Sequence, residues 1–188
     1  MVENGRRVAV FCGSRAGAHA AYAEAAAAVG AALADRGCEL VYGGAHVGLM
    51  GVLADAVLGR GGRVTGVIPA SMVERELAHR GLTDLRIVGS MHERKALMAS
   101  LADAFLVLPG GMGTLDELCE ILTWAQLGIH AKPVGLVNVR GYWTGFLRFL
   151  DTAVADGFLR PADRATLRCD DDEAVLIDRL LPARVGDA

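Results

Sequence analysis

Apolar residues along the chain fall into short, nearly unbroken runs. Each run ends at a glycine or proline turn and is followed by a longer segment with helical spacing. The pattern predicts strands at Arg7–Phe11, Glu39–Tyr42, Arg63–Ile68, Leu85–Val88, Ala104–Leu108 and Pro133–Asn138, with a short last strand at Thr166–Cys169. Helices are expected from about Ala20 to Arg36, from the Gly43–Gly48 loop to about Gly59, from Ser90 to Leu101, from Thr114 to Leu127, from about Trp143 to Asp156, and through Leu181. Pro69 should stop the third strand, because it cannot donate to a ladder. Strands alternating with helices imply βαβ units and a parallel sheet covered on both faces. The expected fold is α/β, a Rossmann-like three-layer α/β/α sandwich with a central parallel sheet of about seven strands. It forms one domain over residues 1–188, fraying after Pro182.

Composition narrows the picture. An apolar content of 53% and a mean hydropathy of +0.35 suit strands buried on both faces. No run approaches the ~20 apolar residues of a membrane span. The Ala-rich segment Ala20–Ala34 contains Glu24 and reads as a helix outside any membrane. The opening residues lack a secretory pattern, so a cytoplasmic location is expected. A net charge of −3 and a pI near 5.9 disfavour nucleic acid as a partner. Cys12, Cys38, Cys119 and Cys169 form no C-x-x-C pair and read as small thiols rather than zinc ligands or disulfides. His46, His79, His92 and His130 are scattered, so no metal is expected.

Candidate chemistry gathers at four strand-to-helix junctions, which a parallel sheet places on one edge, where ligands of such folds bind. They are Gly13-Ser14, Gly43-Gly44, Met91-His92-Glu93-Arg94-Lys95 and Pro109-Gly110-Gly111-Met112-Gly113-Thr114. The last is the strongest. Glycines let the backbone approach a ligand, and the following helix directs free N–H groups at an anion. Thr114 either adds a hydroxyl to that site or simply caps the helix. G-x-G-x-x-G and Walker A patterns are absent, which disfavours a classical dinucleotide or triphosphate site.

Thr114–Glu117 matches a capping box, and so does Ser90–Glu93. Yet two carboxylates, Asp116 and Glu117, beside an anion site are unfavourable unless cations intervene or an acid has work to do. Arg94 and Lys95 oppose the dipole of the helix they open, so they are either cleft cations or solvated surface charges. Lys95 and Lys132 are the only lysines among the 19 basic residues.

At these residues the chain resembles the cytokinin-activating phosphoribohydrolases called LOG (Lonely Guy), often mislabelled as lysine decarboxylases. The motif P-G-G-x-G-T-x-x-E stands at Pro109–Glu117, and M-x-x-R-K at Met91–Lys95. The likeness extends from Val10–Ser14 through Val41–Gly44, Gly48–Gly51, Thr123–Gly128 and Lys132–Gly135 to Gly157-Phe158. Arg15 and Ala45 depart from it, standing where the family often has serine and glycine. The resemblance implies hydrolysis of adenine-type nucleoside 5′-monophosphates, N6-substituted or AMP, to free base and ribose 5-phosphate. No cofactor or metal is implied, and a homodimer with active sites near its interface is. It maps catalysis onto Arg94 and Glu117. Substrate contacts map onto Ser14, Gly43, Gly44, Glu76, Met91, Lys95, Gly110, Gly111, Gly113 and Thr114. The apolar helices Leu118–Leu127 and Gly145–Ala153 offer surfaces for the dimer. The competing readings are a non-catalytic nucleotide or molybdenum-cofactor carrier and a decarboxylase carrying pyridoxal phosphate on Lys95.

Overall fold

A computed structural model describes residues 5–73 and 77–182. In chain order the elements are β1 (Arg7–Phe11), α1 (Ala20–Asp35), β2 (Glu39–Tyr42), α2 (Gly48–Gly59), β3 (Val64–Pro69), α3 (Ala70–Val73), β4 (Asp84–Val88), α4 (Met91–Leu101), β5 (Ala104–Val107), α5 (Met112–Gln126), β6 (Val134–Val137), α6 (Thr144–Ala155), α7 (Pro161–Thr166), β7 (Leu167–Asp170) and α8 (Glu173–Leu180). All seven strands are parallel, in the order β4-β3-β2-β1-β5-β6-β7. The Rossmann-like three-layer fold is therefore present. The short helices α3 and α7 are additions that periodicity alone does not reveal, since each is too brief to display one.

The five inner strands are near-continuous apolar runs because both faces are covered, whereas the edge strands β4 and β7 are partly exposed and carry charged residues. Successive residues of β1 point to opposite faces. Val8 and Val10 join Leu40 and Tyr42 under α1, α2 and α8. Ala9 and Phe11 join Val41, Val107 and Trp143 on the other face, under α4, α5 and α6. The sheet grows from β1 outward to β4 on one side, and the chain then returns to place β5 on β1's other side. That reversal splays the junctions after β1 and β5 to opposite faces and leaves a crevice at the sheet's carboxyl edge. Among the described residues no helix is long and apolar enough to cross a membrane.

Candidate active site

Helix α5 begins at Met112, two residues before the expected start at Thr114. Gly111 is its N-cap, in extended conformation, and no side chain caps the helix. The first free backbone N–H groups therefore face outward, as an anion site requires. The shift also overturns the Thr114–Glu117 capping box. Thr114 lies inside the first turn, buried, and packs on Gly110, where a Cβ would come within 2.1 Å of its hydroxyl oxygen. Glu117 lies one turn further on, and its carboxylate is buried rather than turned back to the helix start.

Helix α4 supplies the facing cation. Ser90 accepts from the Glu93 N–H at 3.1 Å, and Glu93 accepts in turn from the Gly89 N–H at 2.8 Å. The capping box is thus present, with its return bond one residue earlier than the ideal. It leaves Arg94 pointing inward. Arg94 is buried, not a solvated surface charge. Its Nε donates to the Val67 carbonyl at 3.1 Å, and Nη2 stands 3.8 Å from Glu117 Oε1. Gly43 makes room for it, because a Cβ there would lie 1.8 Å from Nη2.

Lys95 goes elsewhere. Its ammonium donates to Asp116 at 2.9 Å and lies 3.1 Å from Glu120, and it does not line the cleft. Lys95 thus forms an inter-helix ion pair between α4 and α5. Asp116 borders the cleft, but its carboxylate is held by Lys95.

The cleft has a volume of about 740 Å³. Ser14, Met91, Arg94, Gly110, Gly111, Gly113, Thr114 and Glu117 all line it. Gly43 and Gly44 do not. They sit behind the wall, Gly43 against Arg94 and Gly44, at φ +74°, against Ile68. Both stand as supports behind that wall. Glu76 lies outside the described residues. Arg15 and Ala45, the two departures, do line the cleft.

Tyr142 is a wall residue that sequence reasoning missed. Its hydroxyl donates to the Gly110 carbonyl, and its ring meets Tyr22 edge-on at 5.9 Å. It follows Arg140 and Gly141, both left-handed at φ 55° and 73°. A non-glycine residue there stores about 1–3 kcal/mol, a sign that the loop is held for a purpose. The available signal was its position just after β6, on the edge already singled out. A second pinning bond runs from the Gly13 N–H to the Pro109 carbonyl, at 3.0 Å. The glycine loop is therefore held from both neighbouring junctions.

The cleft has two poles. The β5 and β6 side carries open N–H groups, Thr114 and Tyr142. The β2 and β3 side carries apolar Ala45, Val47, Met72 and Leu77. Arg94 and Glu117 lie between. Burial pushes the Glu117 carboxyl up to about 7, opposed by Arg94 and Lys95 and reinforced by Asp116 and Glu120. A carboxyl poised near neutrality is suited to proton transfer. Beneath it, the Cys12 thiol is pushed far above its usual range by burial and then by Glu117. It is an inert floor rather than a nucleophile.

Comparison with known proteins agrees with this geometry. Residues 50–180 match the family described as "Possible lysine decarboxylase". The chain belongs to this family. It is 54% identical over 154 residues to the cytokinin riboside 5′-monophosphate phosphoribohydrolase LOG of Oryza sativa subsp. japonica, covering 82% of this chain and 64% of that protein. It is 50% identical over 159 residues to the enzyme of the same name, LOG1, of Arabidopsis thaliana, covering 85% and 75%. The chain thus spans 64% and 75% of the length of these two relatives. Among solved structures, the molybdenum cofactor carrier protein of Chlamydomonas reinhardtii superposes with a TM-score of 0.73 at 20% identity, covering 96% of this chain and all of that one. At that identity the likeness concerns the fold.

The description of the family as a decarboxylase is not supported by its lysines. A Schiff base with pyridoxal phosphate needs a free amine in the cleft. Lys95 is bound by two carboxylates, and Lys132 donates to the Ala99 carbonyl at 2.7 Å.

Proposed function

We propose that this chain hydrolyses the N-glycosidic bond of adenine-type nucleoside 5′-monophosphates, N6-substituted or AMP, releasing free base and ribose 5-phosphate. The observation that carries the reading is Glu117. Its carboxylate is buried, has its pKa raised to about 7, faces Arg94 at 3.8 Å, and sits one turn from an uncapped helix N-terminus. An anion carrier gains little from a buried acid there, whereas a hydrolase needs one.

The phosphate is bound by the open N–H groups at the start of α5 and by the Thr114 hydroxyl. Anchoring this non-reacting group places C1′ over Glu117 and spends binding energy on position. The base lies toward Ala45, Val47, Met72 and Leu77. As the bond from C1′ to the base nitrogen breaks, its electron pair leaves with the base, and positive charge builds on the ribose. Ionised Glu117 stabilises that charge and takes a proton from the attacking water, whose oxygen bonds to C1′. Glu117 then passes that proton to the departing base nitrogen, which leaves as neutral base and returns Glu117 to its carboxylate. Arg94, always charged, steadies the carboxylate and can polarise the base. Because Glu117 must be ionised to act, kcat/KM should fall below pH about 7.

The test is chromatographic detection of free base from AMP and from isopentenyladenosine monophosphate. Wild type should release base, and Glu117→Gln should be at least about 10²-fold slower, the usual worth of a proton-transfer group. Near-normal turnover by Glu117→Gln would exclude the role given to Glu117. Nucleotide binding without base release by wild type would favour a carrier.

A homodimer with active sites near its interface forms part of the same proposal. Helix α6 supports it, since none of its residues is fully buried and Phe149 is 64% exposed, with Phe158 just beyond at 86%. In α5, by contrast, Leu118 and Ile121 are consumed by the core. Light scattering should give about twice 19.7 kDa. A cytoplasmic location is proposed too, supported by four free thiols, which persist in a reducing compartment.

A further inference from the structure

The Lys95 side chain is only 10% exposed, yet it contributes nothing to the cleft wall. It lies within 3.1 Å of two carboxylates, Asp116 and Glu120, which are one turn apart on α5. Arg94 and Lys95 are consecutive on α4, and Asp116 and Glu117 are consecutive on α5. The pairs Arg94–Glu117 and Lys95–Asp116 therefore form two adjacent rungs between the same helices. We propose that Lys95 is a positioning residue acting through Glu117: it neutralises the two carboxylates flanking Glu117 and holds α4 and α5 at the spacing that sets Arg94 against it.

Three carboxylates within about one helical turn repel one another unless cations intervene. The groups that face Glu117 are Arg94 and Lys95 from α4, Asp116 and Glu120 from α5, and the Cys12 thiol at the end of β1. Asp116 and Glu120 favour the protonated acid, and Arg94 and Lys95 the carboxylate. Arg94 is the cation paired directly with Glu117, and Lys95 is the one paired with both flanking acids. An isolated surface pair has little value, but this amine engages two acids at once. A compact ammonium suits such a shared contact better than a planar guanidinium, which is consistent with a lysine at this point of a chain that otherwise prefers arginine.

The proposal rests on ionised Glu117 being the active form, so its test has one readout that needs no turnover. Carbon-13 NMR follows the Glu117 carboxyl through a pH titration in wild type, Lys95→Met, Lys95→Arg and Lys95→Met/Glu120→Gln. In parallel, kcat/KM for base release is measured from pH 5.5 to 9.5. Lys95→Met should move the Glu117 titration and the acidic limb of the profile to higher pH. The loss should be about tenfold at pH 6, about twofold at pH 8 and nearly absent at pH 9, since a tenfold change corresponds to one pH unit on that limb. Lys95→Arg should restore most of the wild-type profile, and Glu120→Gln in the Lys95→Met background should move the limb back down. An unmoved Glu117 titration in Lys95→Met, or an equal loss at every pH, would overturn the proposal. If wild type releases no base, the hydrolase reading fails, while the NMR titration still decides the role of Lys95.

Discussion

The junctions after β2 and β5 carry the same residue type on the same sheet edge, yet their glycines do opposite things. After β5, Gly111 and Gly113 face open space, with nothing within 4 Å of an added Cβ. They leave room for something outside the protein. After β2, Gly43 is filled from within, because the Arg94 guanidinium occupies the position its Cβ would take. Gly44 adopts φ +74° to turn the chain back against Ile68. One junction leaves its backbone open to the cleft, and the other lets the Arg94 side chain approach it. A glycine loop on a binding edge therefore does not by itself mark a ligand contact. What its missing Cβ would touch decides the matter.

The largest effect expected from breaking this contrast is at Gly43. Gly43→Ala should displace the Arg94 side chain and reduce kcat/KM by about 10²-fold, the usual cost of losing a preorganised charge at a reacting centre. The fold should tolerate it, since the obstructing atoms are the mobile ends of Arg94 and Met50. Kinetics beside a thermal melt check both parts. A melt that collapses together with activity would make Gly43 a packing residue only.

The next effect concerns the acid that Arg94 faces. The Glu117 carboxyl titrates near 7 in the folded chain and near 4.5 as a free side chain. Between those values the folded protein retains a proton that the unfolded chain has released. Stability therefore falls as pH rises from about 4.5 through 7, and is level above. Glu117→Gln cannot ionise, so it should be more stable than wild type at pH 8 by about 1–3 kcal/mol, and the difference should vanish at pH 4. Urea denaturation at the two pH values measures it.

The smallest effect sharpens the other junction. Gly113 lies in the first turn of α5 with open space where a Cβ would stand. Gly113→Ala should raise stability by about 0.5–1 kcal/mol, through helix propensity, while raising KM as the methyl enters the phosphate site. A melt and a KM determination separate the two consequences. An unchanged KM would move the phosphate away from this turn.

The fold was legible because the central strands are nearly unbroken apolar runs and most crossovers carry a full amphipathic helix. The short α3 and α7 span too few residues to show periodicity. At the site, Arg94, Glu117, Thr114 and the Gly110–Gly113 loop could be read from two motifs, since their chemistry depends on local sequence order. The error at Thr114 was local too. A helix beginning at Met112 rather than Thr114 changes Glu117 from a cap into an inward acid, and capping patterns do not distinguish those starts. Lys95 and Gly43 were given to the ligand by the family resemblance, which follows position along the chain, whereas their partners in the fold, Asp116 and Arg94, lie on other elements. Tyr142 was missed because it reaches Gly110 across 32 residues of sequence.

The sequence by itself determined the alternation of strand and helix, the edge on which chemistry would gather, and the acid, arginine and glycine loop available there. Hydrophobic period, turn chemistry and helix N-termini are properties of neighbouring residues, so they can be read along a line. The tertiary structure alone decided which glycine admits a ligand and which admits Arg94, that Lys95 serves Asp116 and Glu120, and that the Glu117 carboxyl is raised toward neutrality. Those outcomes depend on burial and on distances between elements far apart in the chain, which no local pattern encodes.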